Sequence, residues 1–168
     1  MPQDKEAPSQ THSLLTLSDL SRVSKEIYDK LQIQCEWQTV YELAFLKRND
    51  KPLPDVVKEL LVMRSKCPDK YKQLLVSIKL QLGQREVLAN DKRVKPWKTT
   101  KDVNNEIYEF KSSAGLGLRL FFFFHNDHAI VCTNAWVKDN EKNKKMQTRQ
   151  FEQASRDRVQ FLSQFEKT

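Results

Sequence analysis

Apolar positions recur with two different periods along this chain, and the places where the period changes mark its elements. Between Asn104 and Lys138 the spacing is strand-like and breaks at two turn-prone groups, Ser112-Ser113-Ala114-Gly115 and His125-Asn126-Asp127, which predicts a three-stranded meander. Alternation would place Tyr108, Phe110, Leu118, Leu120, Phe122, Val131, Thr133, Ala135 and Val137 on one face. The other face would carry Glu109, Lys111, Arg119, Asn134, Trp136 and Lys138, interrupted by Phe121, Phe123, Ile130 and Cys132. The first face suits a core under helices; the second is a candidate working surface.

Elsewhere the period is helical or the pattern lapses. Ser18 can cap a helix over 19–32 in which Leu20, Val23, Ile27, Tyr28 and Leu31 form a stripe able to pack on the domain or hold a partner. Trp37, Thr39, Val40, Tyr41 and Phe45 predict a strand from Glu36 to Leu46, ending at the polar run Lys47 to Pro52. Val56, Val57, Leu60, Leu61 and Met63 predict a helix closed by Pro68. Tyr71, Leu74, Leu75, Ile78 and Leu82 predict a second one, with Gly83 available as a left-handed cap. Lys92 to Lys101 reads as a basic connecting loop with Trp97 at its centre, and Glu141 to Phe165 as a helix with a basic start. The expected fold is α+β: a small antiparallel sheet of about four strands, packed with a helical hairpin and a C-terminal helix. Residues 1–16 are expected to be a disordered tail and 17–33 a helical extension, leaving 34–168 as the domain proper.

Composition narrows the function. A length of 168 residues, 39% of them hydrophobic, with nine Phe, four Tyr and three Trp, is enough for one domain with a core and too aromatic for a disordered chain. The 29 Lys and Arg exceed the 22 Asp and Glu by seven, which favours a polyanionic partner. No apolar run has the length of a membrane span or a signal-peptide core, so a cytoplasmic protein with no membrane partner is expected. Cys35, Cys67 and Cys132 are odd in number and widely separated, which supports neither a disulfide framework nor a zinc ribbon. No nucleotide-binding glycine motif occurs, and His125 and His128 lack further ligands, so neither cofactor nor metal is expected.

Two constellations bear on chemistry. Arg119, between Leu118 and Leu120, is out of place in an apolar strand unless its charge is paired or used. With Lys138 on the same predicted face and Lys142, Lys144 and Lys145 just beyond, it could hold a phosphate and stabilise charge developing there. The alternative, which charge pattern alone favours, is a structural Arg119–Glu109 pair beside a solvated helix start. His125-Asn126-Asp127-His128 is explained as a tight turn.

The strings Ile107-Tyr108-Glu109-Phe110-Lys111, Leu118-Arg119-Leu120-Phe121-Phe122 and Asn134-Ala135-Trp136-Val137-Lys138, in this order and followed by a helix with Ala154, Arg156, Arg158 and Phe161, resemble the RelE/HigB-type toxins of bacterial type II toxin–antitoxin systems, phage-borne relatives included. The resemblance spans roughly residues 37 to 165. It implies a RelE-like fold and ribosome-dependent, metal-independent cleavage of mRNA that inhibits translation, with the RNA 2′-hydroxyl as nucleophile. The partners it implies are the ribosome, mRNA and a cognate antitoxin. Carried over residue by residue, Arg119 and Lys138 would stabilise the phosphate and Lys111 would assist. Lys142, Lys144, Lys145, Lys95 and Lys98 would bind RNA, and Trp136 would stack on a base or fill space beside Phe121. The chain departs from the family pattern in having Lys111 for an arginine, Asn134 for a histidine and Asp139 for a second lysine. Those departures keep a second class open: a catalytically degenerate or gyrase-directed RelE/ParE-fold protein that acts by binding only.

Overall fold

The computed structural model describes residues 12–16, 29–33, 39–48, 53–85, 93–96, 107–140 and 144–166. Its elements are β1 (His12–Thr16), β2 (Glu42–Arg48), α1 (Asp55–Lys66), α2 (Pro68–Leu82), β3 (Val94–Pro96), β4 (Tyr108–Lys111), β5 (Gly117–His125), β6 (Ala129–Lys138) and α3 (Lys144–Glu166). The strands form one six-stranded sheet in the order β1-β2-β6-β5-β4-β3. It is antiparallel throughout except between β2 and β6. The α+β architecture, with its helical hairpin and C-terminal helix, is as expected and is compatible with a RelE-like fold.

The meander forms because its turns can be made. In the three-residue connection 126–128 between β5 and β6, Asn126 and Asp127 both take positive φ, 50° and 55°, which these residue types tolerate, and the His128 N–H donates to His125 O at 3.1 Å. Both faces of the sheet are covered. On one, α1 and α2 press Val57, Leu60, Leu74 and Ile78 onto Tyr108, Phe110, Leu120 and Phe122. On the other, Phe151, Ala154 and Phe161 of α3 meet Phe121, Phe123 and Val131. This explains why Leu120 to Phe123 is apolar without alternation: a strand buried on both sides has no solvent face. Phe110 stacks on Phe122 with centroids 4.0 Å apart, and Phe121 meets Phe151 edge-on at 4.8 Å.

Several expectations need correction. The predicted working face lies under α3. Ile130 and Cys132 lie with the hairpin-side core and Val131 with the α3 side, because the β5–β6 register shifts. Phe121 pairs with Asn134 but Phe122 with Cys132, leaving Thr133 as an inserted residue that reverses parity along β6. Just past it the Ala135 N–H donates to Glu59 Oε2 of α1 at 2.6 Å. Residues 12–16, expected in a disordered tail, form edge strand β1 against β2. Strand β2 begins at Glu42 because the N–H groups of Val40 and Tyr41 donate to Leu82 O, at 2.7 and 3.1 Å, instead of entering the ladder. It runs on to Arg48, through residues expected in a loop, because β1 pairs with it. Within the basic connector, Val94 to Pro96 is a strand, with Val94 buried opposite Phe110. Gly83 has φ −81°, so it ends α2 in a right-handed conformation.

Of the predicted N-terminal helix only the last turn falls within the described residues, and it packs on the domain. Leu31 and Ile33 are buried in the hairpin-side core, and the Tyr71 hydroxyl donates to Leu31 O at 2.6 Å. Among the described residues no helix is long and apolar enough to cross a membrane.

Candidate functional site

The register of β3 to β6 assembles the candidate residues on the α3 side of the sheet. Lys95 pairs with Glu109, Glu109 with Phe121 and Phe121 with Asn134. One row further, Lys111 pairs with Arg119 and Arg119 with Trp136, and Gly117 faces Lys138. Cross-strand partners share a face, so Glu109, Lys111, Arg119, Asn134 and Trp136 stand together as alternation predicted. Helix α3 closes over them with residues three and four apart. Gln147 Nε2 donates to both carboxylate oxygens of Glu109 at 3.1 and 3.2 Å, and Asn134 Nδ2 donates to Gln150 Oε1 at 2.8 Å.

Where this lid begins, a cleft of about 340 Å³ opens between β3, the end of β6 and the first turns of α3. Lys95, Lys138 and Lys144 line it, with Pro96, Gln147, Thr148 and Phe151. Lysines from three separate elements converge here with no acid in the lining, which is the electrostatic footprint of an anion site. Gln147 links the cleft to the buried Glu109.

Behind the cleft lies a buried charge cluster. Arg119 is 0% exposed and Lys111 8%. Arg119 Nη1 donates to Leu118 O at 3.0 Å, Nη2 donates to Gly115 O, and Nε stands 3.9 Å from Glu109 Oε2. Among the described residues Nε has no hydrogen-bond acceptor. Burial raises the Glu109 carboxyl above its ordinary value, although Arg119, the Gln147 hydrogen bond and the two nearby lysines oppose it. Burial lowers the Lys111 ammonium, and Arg119, Lys95 and Lys138 lower it further against the pull of Glu109. Burial also lowers Arg119, with Glu109 opposing.

The structure thus joins Lys95, Lys138 and Lys144 in one cleft and Lys111 with Arg119 beneath it. Lys145 is exposed on α3 and is not part of the lining. Trp136 is half-buried and packs against the cluster that contains Phe121. Lys98 and Lys142 lie outside the described residues. Sequence reasoning placed Glu109 only as a possible partner of Arg119 and missed Gln147 and Thr148. The one available signal for Gln147 was its helical spacing from Phe151, which marks the buried stripe of α3. Among the described residues no group of three or more His, Cys, Asp or Glu could hold a metal ion.

Residues 77–158 match the model of the family described as Phage derived protein Gp49-like (DUF891), a toxin–antitoxin-related family. The matched segment runs from α2 into α3 and contains the whole candidate site. No match was found among curated proteins or among solved structures.

Proposed function

We propose that this protein is the toxin of a toxin–antitoxin module and cleaves mRNA on the ribosome. The observation that carries the proposal is the cleft in which Lys95, Lys138 and Lys144 converge above Lys111. The Gp49-like match supports the same class.

In this mechanism the RNA 2′-oxygen attacks the adjacent phosphorus and the bond to the 5′-oxygen breaks, leaving a 2′,3′-cyclic phosphate and a 5′-hydroxyl. One proton must leave the 2′-oxygen and one must reach the 5′-oxygen. Lys138 stabilises the charge that grows on the non-bridging oxygens, and Lys95 and Lys144 hold the backbone on either side. Lys111, its ammonium lowered by burial, is suited to carrying a proton. Arg119 is enclosed by protein and acts as a positioning residue, setting the field at Lys111 across the strand pair rather than touching RNA. An antitoxin would mask the cleft with acidic side chains.

A second reading is favoured by one observation. The guanidinium expected to meet phosphate is fully buried and directed to Glu109, Leu118 and Gly115, which favours a protein that acts by binding alone. Mapping RNA ends by primer extension, with purified protein added to mRNA on translating ribosomes and to the same mRNA alone, separates the two. New ends that appear only with translation support cleavage. Their absence, with ribosome binding retained, selects the binding-only reading.

A further inference from the structure

A second cleft, of about 350 Å³, opens on the hairpin side of the same strands, lined by Gln73, Val76, Arg93, Ser112, Ser113 and Ala114. Nothing in the mechanism above uses it. Its walls are built by local chemistry. The Ser112 N–H donates to Leu118 O at 3.1 Å and the Ser112 hydroxyl accepts from Leu118 N–H at 2.9 Å. The Ser113 hydroxyl donates to Leu116 O at 2.8 Å, and Ser77 ties α2 to Lys111 O at 2.8 Å. These bonds hold the turn after β4 against α2, so the cleft exists before any ligand arrives.

The lining differs in kind from that of the lysine cleft. It has a single cation, an apolar patch from Val76 and Ala114, an amide that both donates and accepts, and two hydroxyls. A phosphate needs only donors and positive charge. A heterocycle with an apolar face and a mixed donor–acceptor edge needs this combination, and the volume suits one small planar group. The two clefts are also close along the chain. Arg93, which lines the second, and Lys95, which lines the first, are two positions apart at the edge of the sheet formed by β3.

We propose that this second cleft is a nucleobase subsite: it takes the base of a nucleotide next to the one whose phosphate lies in the lysine cleft, and so sets sequence preference. The proposal rests on the RNA-directed reading of the lysine cleft. Gln73 reads the edge of the base, Val76 packs on its face, and the flat guanidinium of Arg93 stacks on it or bonds to it. Gln73 and Val76 are exposed on α2, so replacing them leaves the core intact.

The test measures binding of the full chain to four fluorescent single-stranded RNAs, eight residues each of A, C, G or U, by anisotropy at low salt. The wild type should discriminate among the four. Gln73→Ala and Arg93→Ala should each flatten the ratio of best to worst by about tenfold, and Arg93→Lys, which keeps charge and loses the planar fork, should flatten it as Arg93→Ala does. Lys138→Ala should weaken all four in parallel. Wild-type ratios retained in the Gln73 and Arg93 variants, or no discrimination by the wild type, would overturn the subsite while a parallel loss in Lys138→Ala kept the lysine cleft. If the wild type bound none of the four at low salt, the subsite would fall, while the RNA-directed reading of the lysine cleft would still stand or fall on cleavage of mRNA on translating ribosomes.

Discussion

Gly117 begins β5 with φ +147°, a conformation that side chains with a Cβ rarely adopt, and it faces Lys138 across the ladder. A Cβ built there would sit 2.4 Å from Ser112 Oγ and 3.1 Å from Ser113 Oγ. Ser112 is buried and its hydroxyl accepts the Leu118 N–H at 2.9 Å, so it cannot yield without losing that bond. Gly117→Ala therefore combines about 1–3 kcal/mol of backbone strain with about 1 kcal/mol for the displaced hydrogen bond. At roughly 2–4 °C per kcal/mol for a chain of this size, the melting temperature should fall by about 5–15 °C. Gly115 supplies the control. It also has positive φ, +79°, but a Cβ there meets nothing within 4 Å, so Gly115→Ala should incur only the backbone cost. In urea and thermal unfolding, Gly117→Ala should be clearly worse than Gly115→Ala, and adding Ser112→Ala should recover part of the difference. Equal losses for the two alanines, or no recovery in the double variant, would refute the steric argument.

Glu109→Gln should cost no stability at pH 7, and any gain should shrink as pH falls towards 4.5. Burial holds the carboxyl above that ordinary value, so its contribution is fully present below pH 4.5 and is lost as pH rises through the folded value. A loss above about 2 kcal/mol at pH 7 would mean that the Arg119 ion pair outweighs desolvation. For His125 the sign is reversed. Burial and Arg158 lower its pKa below 6.5, so the wild type should lose stability as pH falls from 6.5 through the folded value, and His125→Gln should remove that slope. Cys132 is fully buried and its thiol is pushed well above the ordinary value, whereas Cys67 is half-buried. In peptide mapping after iodoacetamide treatment of the native protein, Cys67 should be labelled and Cys132 should not until denaturant is added.

The meander was legible because its signals are local. Ser112 to Gly115 and His125 to Asp127 are turn chemistry, and alternation from Tyr108 to Lys111 and from Leu118 to Phe122 assigned those side chains to their observed faces. Thr133 was not legible as an inserted residue. Nothing in its neighbourhood marks a bulge, and one extra residue reversed the parity of Ile130 to Cys132. The covering of the second face was partly legible: Phe121 and Phe123 were the signal that α3 packs there, but helical periodicity does not say which face of a sheet a helix will choose. Strand β3 escaped because a three-residue strand with a lysine and a proline carries no alternation. At the candidate site, the lysines could be named from charge. Their convergence depends on the β3–β6 ladder and on α3, and the Glu109–Gln147 contact joins residues 38 positions apart, beyond the reach of any spacing rule.

The central claim, that the lysine cleft cuts mRNA on the ribosome, is tested most directly by single-turnover cleavage of ribosome-bound mRNA with the wild type and with Lys138→Ala. If Lys138 stabilises the phosphate as charge develops, its loss should slow cleavage by on the order of a hundredfold or more while ribosome association changes far less. An unchanged rate in Lys138→Ala, or no cleavage by the wild type under any translating condition, would contradict it.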